Sequence, residues 1–173
     1  GDDNFLTDSK KSKERAEEFA TEIILKNWDI SFRILCRTDV FANNEELLSL
    51  LKKAGLERVL VGLESGSNYC LDIYKKQTTV EQNLKATELF KKHNIAIHPG
   101  FIMFNPYVTF DDLKKNAFFL HQIGLAAIFF YFSTRLVLYP GCSLIKKLET
   151  DNLLLDGKSY KSPFFFQEED GIR

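Results

Sequence analysis

The chain has 173 residues, 45% of them hydrophobic and 27% charged, with a formal net charge of −1. That is the profile of one globular domain long enough to bury a core, with no cationic excess for gripping a nucleic-acid backbone. No apolar run approaches the roughly 20 residues that span a bilayer. The opening Gly1-Asp2-Asp3-Asn4-Phe5 has neither an initiating Met nor a leader's charged-then-apolar order, so a cytoplasmic setting is expected.

In residues 12–26, Ala16, Phe19, Ala20, Ile23 and Ile24 recur at helical spacing and form one apolar stripe. Residues 32–36 fit a short strand. Asn43 or Asn44 can cap the next helix, which carries Leu47, Leu48, Leu50, Leu51 and Ala54 and ends at Gly55, where a left-handed residue is wanted. Residues 59–63, Val-Leu-Val-Gly-Leu, predict a strand buried on both faces. Thr79 and Gln82 frame a capping box, and its helix runs to about His93 with Ala86, Leu89 and Phe90 inward. A strand follows over 95–103. Thr109 opens another helix, with Phe110, Leu113, Ala117 and Leu120 on one face and Gly124 at its end. Residues 126–138, rich in Phe and Ile, predict a long strand, and a short helix follows over 143–149. Alternating helices and apolar strands imply parallel pairing with helices outside. A doubly wound sheet and a section of barrel both satisfy that pattern.

Cys36, Cys70 and Cys142 are scattered and odd in number, which describes neither a disulfide framework nor a metal site. They read as small apolar residues. His93, His98 and His121 are dispersed too, and His98 reads as a hydrogen-bonded core residue. Phe129-Phe130-Tyr131-Phe132 reads as packing.

Polar residues gather where each strand gives way to its helix: Asp2, Asp3 and Asn4; Arg37 and Asp39; Glu64, Ser65, Gly66 and Ser67; Asn105 with Pro106; and Tyr139-Pro140-Gly141. In parallel α/β folds these positions share the face at the carboxyl ends of the strands, where active sites are built. A carboxylate ending a buried strand, as Glu64 does, costs several kcal/mol to desolvate unless something meets it. The glycine and serines after it allow close backbone approach and offer donors; a local helix-capping turn would use the same residues. Arg37 can pair with Asp39 or Glu64. No dinucleotide fingerprint, phosphate loop or nucleophile elbow is present.

Taken in order, these pieces resemble the radical S-adenosylmethionine (radical SAM) superfamily, in the branch that often carries a cobalamin-binding domain upstream. Asp2-Asp3-Asn4-Phe5 resembles the motif ending the second barrel strand, and Arg37-Thr38-Asp39 the Arg-x-Asp ending the third. Ala54-Gly55 with Val61-Gly62-Leu63-Glu64-Ser65-Gly66-Ser67 matches the fourth-strand signature, with Leu71, Lys76 and Thr79 at the family's offsets. Gly100-Phe101-Ile102-Met103 resembles the fifth strand, and Tyr139-Pro140-Gly141 the loop after the sixth.

The resemblance implies an α/β fold: a partial (β/α)6 TIM-like barrel over residues 1–155, entered at the end of the second strand, with a C-terminal extension over 156–173. It implies a parent enzyme with a [4Fe–4S] cluster that cleaves S-adenosylmethionine to a 5′-deoxyadenosyl radical, and cobalamin as a further cofactor of that parent. By matched position, Asp2, Asp3 or Asn4 would lie near the methionine amino group. Glu64 and Ser65 would face ribose or methionine, Lys76 the methionine carboxylate, and Arg37 would orient that network. Ile102 or Met103 would pack near adenine. The cluster-binding Cys-x-x-x-Cys-x-x-Cys loop is not in the sequence, so this chain is expected to be an excised piece that binds no metal and is inactive alone. Phe104-Asn105-Pro106-Tyr107-Val108-Thr109 replaces the commoner Gly-x-Pro-Gly-Glu-Thr, and Cys142 stands where Thr is usual. A cluster-free barrel that binds a small molecule or partner is the alternative. The open barrel edge is expected to be covered by self-association or by the terminal segments, Phe164-Phe165-Phe166 among them.

Overall fold

Ser9 caps α1 (Lys10–Leu25), its hydroxyl accepting from the Ser12 amide. The helix buries Ala16, Ala20 and Ile23, while Phe19, 38% exposed, stacks edge-on against Phe5 and Phe32. After β1 (Phe32–Cys36), a four-residue turn of helix, α2 (Thr38–Phe41), leads to α3 (Glu45–Lys53). Asn44 precedes α3 without capping it; its amide donates instead to the Val40 carbonyl. Gly55, at φ +107°, turns the chain into β2 (Leu56–Glu64) so tightly that a Cβ there would collide with the Ile30 carbonyl. Then follow α4 (Asn68–Ile73), α5 (Val80–Lys92), β3 (Ala96–Phe101), α6 (Phe110–Gln122), a 3-10 turn over Phe129–Phe132, and α7 (Ser143–Thr150). Both reciprocal bonds of a capping box are made at Thr79–Gln82, and again at Thr109–Asp112. The computed structural model describes residues 4–154. Asp2, Asp3 and Phe164-Phe165-Phe166 lie outside the described residues.

The three strands are parallel in the order β1-β2-β3. Single bridges continue the sheet on both sides: Leu6 pairs with Cys36, and Phe104 with Arg135, both in parallel. The order of a barrel section is therefore present, as five consecutive staves of which the outer two are reduced to one pair each, and the sheet does not close. The helices cover one face. There Ile34, Cys36, Val59, Val61, Leu63 and Phe101 are buried, and Phe41 meets Phe90 edge-on at 5.5 Å. Fully burying a side chain of that size stabilises by about 1.5–3 kcal/mol.

Four expectations change. The strand over 59–63 is buried on one face only, because among the described residues no second layer covers the other; Leu60 and Gly62 stay partly open. On that same inner face His98 is exposed, since strand alternation sends Pro99 and Phe101 toward the helices instead. Phe110 is 74% exposed with Lys114 over its ring; α6 buries Asp112, Asn116, Phe119 and Leu120 in its place. Residues 126–138 do not form a long strand. Their amides close short local turns, Ile128 to the Leu125 carbonyl, Tyr131 to that of Ile128 and Ser133 to that of Phe130. These turns bury Tyr131 and leave Phe129 81% exposed.

Candidate functional site

At the carboxyl end of the sheet a cavity of about 270 Å³ is lined by Asn4, Leu35, Cys36, Arg37, Thr38, Gly62, Glu64, Lys76 and Thr78. Four of the residues singled out in the sequence, Asn4, Arg37, Glu64 and Lys76, thus meet in one place, drawn from four separate stretches of chain.

Glu64 is the centre of it. The residue ends β2 at φ +60°, a left-handed conformation that a non-glycine residue adopts at a cost of about 1–2 kcal/mol. The Ser65 amide donates to the Leu63 carbonyl at 2.7 Å, closing a γ-turn around Glu64 of the strained, positive-φ kind. The turn folds the Glu64 carboxylate back over the sheet. A Cβ on Gly62 would stand 2.5 Å from Glu64 Oε1, and one on Gly100, the register partner of Gly62, 3.8 Å from Oε2. Gly62 is what leaves room for this carboxylate, whereas a side chain at Gly100 would only touch it.

Lys76 arrives from the other side. α4 ends with Lys75 at φ +55°, and the Lys76 amide reaches back to the Leu71 carbonyl at 3.0 Å, a Schellman-type ending. Lys76 Nζ then lies 2.6 Å from Glu64 Oε1, with the carboxylate side chain 15% exposed. Arg37 pairs with Asp39 rather than Glu64: Nε donates to Oδ1 and Oδ2 at 3.1 and 3.0 Å, and Nη2 to Oδ2 at 2.8 Å. Those bonds hold the guanidinium more firmly protonated.

The remaining candidates lie elsewhere. Ser65 is fully buried on the helix side, donating from Oγ to Asn116 Oδ1 at 2.7 Å. Ile102 is half-buried and touches the site through its amide, which donates to the Glu64 carbonyl at 2.8 Å. Met103 is a core residue, 6% exposed. Three polar side chains that the sequence reading did not single out as site residues, Asn83, Asp112 and Asn116, are buried directly behind the site. Their signal was present, because Asn83 falls at i in a stripe with Ala86, Thr87 and Phe90, at i+3, i+4 and i+7. Polar residues in such a stripe need partners.

The polar groups suit a zwitterionic amino-acid group with a hydroxylated neighbour: a carboxylate, an ammonium, a guanidinium, an amide and the hydroxyl of Thr78 around a glycine trough. They do not suit an iron–sulfur cluster. Among the described residues no group of His, Cys, Asp or Glu could hold a metal ion. Cys36 borders the cavity, but burial, and secondarily Asp39, push its thiol up to about 12. No helix of the described residues is long and apolar enough to cross a membrane.

The signature of the radical SAM superfamily matches residues 4–120, which takes in every element that builds the cavity. The chain belongs to the radical SAM superfamily. Over 99 residues it is 36% identical to an anaerobic magnesium-protoporphyrin IX monomethyl ester cyclase of Rubrivivax gelatinosus, covering 57% of this chain and 18% of that protein. Over 70 residues it is 44% identical to the 4′-phospho-dehydrooxetanocin synthase of Priestia megaterium, covering 40% and 9%. The fold matches the cobalamin-dependent S-adenosylmethionine radical enzyme OxsB, solved with aqua-cobalamin and S-adenosylmethionine bound. That match has a TM-score of 0.65 and 25% identity, over 88% of this chain and 22% of OxsB. The chain spans less than a quarter of each of these radical SAM relatives.

Proposed function

We propose that this chain forms the S-adenosylmethionine-holding wall of a radical SAM enzyme whose [4Fe–4S] cluster is carried by sequence outside it. The observation that carries the reading is the Glu64–Lys76 pair, 2.6 Å apart, set over two glycines in a chain of this superfamily. In this reading Lys76 meets the methionine carboxylate and Glu64 accepts from the amino group or a ribose hydroxyl. Ligand entry exchanges one charge pair for two, so neither charge is left unpaired. Asn4 lies on the amino-group side. Arg37, held by Asp39, borders the mouth, and Ile102 continues the wall toward adenine with Met103 behind it. Cluster and S-adenosylmethionine together supply reductive cleavage and hydrogen-atom abstraction; the chain's part is to orient the ligand and keep water out. The likeness to a cobalamin-dependent relative extends the proposal to a cobalamin cofactor of the whole protein.

Calorimetric titration of the chain with S-adenosylmethionine tests the reading. Binding is expected. Glu64→Ala and Lys76→Ala each weaken it tenfold or more, the loss of a charge-assisted bond worth about 1.5–3 kcal/mol. Arg33→Ala, on the strand but outside the cavity, leaves it unchanged. No binding, or equal loss in all three variants, would sink the proposal and favour a barrel that recognises something else.

A further inference from the structure

Asn83 and Asn116 are both completely buried, although each stands in a helix stripe where an apolar residue would pack at no polar cost. Each spans the gap between two strand ends. Asn83, on α5, accepts from Thr38 Oγ1 at 2.6 Å, just beyond β1, and donates to the Leu63 carbonyl at 3.1 Å, in β2. Asn116, on α6, accepts at Oδ1 from Ser65 Oγ and from the Gly66 amide, both at 2.7 Å. It also donates to the Met103 carbonyl, just beyond β3, at 3.5 Å, the longest of these bonds.

The pair brackets one residue. The backbone angles of Glu64 are set by the peptide before it, whose carbonyl belongs to Leu63, and by the peptide after it, whose amide belongs to Ser65. Asn83 holds the first through the Leu63 carbonyl. Asn116 holds Ser65 by its hydroxyl and the following peptide by the Gly66 amide. Gly66 lies so close to α6 that a Cβ there would come within 2.4 Å of Phe119 Cβ. Ser67 adds a bond from Oγ to Asp112 Oδ1 at 2.6 Å. Burial pushes the Asp112 carboxyl up, but the bonds from Ser67 and Thr109 outweigh it and hold the group below the usual carboxylate range. A left-handed glutamate in a γ-turn persists only where its surroundings over-determine it, and these bonds are that surrounding.

We propose that Asn83 and Asn116 are positioning residues: together they fix the strained turn at Glu64 and so aim its carboxylate at the ligand. The conformational half stands on the geometry alone, whereas the ligand half rests on the proposed S-adenosylmethionine reading.

The near-isosteric Asn83→Leu and Asn116→Leu variants test both halves, with the milder Thr38→Val and Ser65→Ala, each removing one donor, in case the leucine variants do not fold. Leu51→Ala, in the fully buried core of α3, is the control for lost stability without lost positioning. Two readouts are taken where all variants are folded: the Glu64 and Ser65 amide resonances in nitrogen–proton NMR, and calorimetric affinity for S-adenosylhomocysteine. The expected result is displaced and broadened Glu64 and Ser65 amides with about tenfold weaker binding in the asparagine variants, and neither effect in Leu51→Ala. An unmoved Glu64 amide in the asparagine and donor variants would overturn the proposal. Moved amides in a chain that binds no S-adenosylhomocysteine even as wild type would uphold the positioning role and sink the S-adenosylmethionine reading.

Discussion

On the outer face of β2, Val59, Val61 and Leu63 are each at most 1% exposed against the helices, whereas on the inner face Leu60, Gly62 and Glu64 remain partly open. The same strand, alternating by one residue, carries a close-packed wall on one side and a charged, strained, solvent-reachable site on the other. The difference teaches where each property resides: stability in volume and shape, function in a single turn and one ion pair. It also says that the two should respond separately to substitution.

The largest expected effect is on the packed side. Phe90→Ala removes a fully buried ring that meets Phe41, and urea denaturation should show a loss of about 3–5 kcal/mol with ligand affinity unchanged wherever the chain stays folded. The same face predicts an alkaline limb. Cys36 is pushed up to about 12 from an unfolded value of 9.0, so between those limits the native state binds the extra proton. Its contribution is complete below pH 9 and is lost as pH rises toward 12, at up to about 1.4 kcal/mol per pH unit. Denaturation at pH 8 and pH 10 should show that slope, and Cys36→Ala should flatten it.

On the inner face, Gly62→Ala would place a methyl group 2.5 Å from Glu64 Oε1. Because the obstructed atom is the end of a movable side chain, the melting temperature should barely change while affinity for S-adenosylmethionine falls about tenfold, about 1.4 kcal/mol. The smallest effect has the opposite sign. Glu64→Gly relieves a left-handed residue at the cost of one partly exposed ion pair, usually worth no more than about 1 kcal/mol. Calorimetric melting should therefore show a chain as stable as the original or up to about 1 kcal/mol more so, yet unable to bind. A glycine variant that melts well below the original would break the separation between the two faces.

Much of this was legible in the sequence wherever short-range chemistry decides the outcome. The Thr79–Gln82 box, the turn at Gly55 and the strand ending in Glu64 depend on residues a few positions apart, and the structure makes each of them. Asn4, Arg37 and Glu64 could be brought together because parallel topology gathers strand ends on one face, and Lys76 through its offset in the family pattern. What stayed hidden depends on distant partners. Whether residues 126–138 pair as a strand is decided by what lies beside them, and local turns take up the first part of the segment, leaving a single bridge at Arg135. Which way Ser65 points is decided by Asn116, on a helix one βα unit further along the chain. Glu64's partner stayed hidden for a similar reason: the sequence offered Arg37, whereas the ending of α4 brings Lys76 to the carboxylate and Arg37 pairs with Asp39.

The carboxylate folded over Gly62 carries a consequence for variation at these two positions. A side chain at 62 would displace the long carboxylate at 64 from where it lies, so a change at either position alters what the other contributes to binding. A path from Gly62 to a larger residue must pass through a change at 64 that surrenders the pair with Lys76, or the chain crosses a form that folds and binds about tenfold more weakly. Positions 62 and 64 therefore behave as one two-letter unit, and libraries that vary them jointly will recover combinations that one-at-a-time substitution would discard.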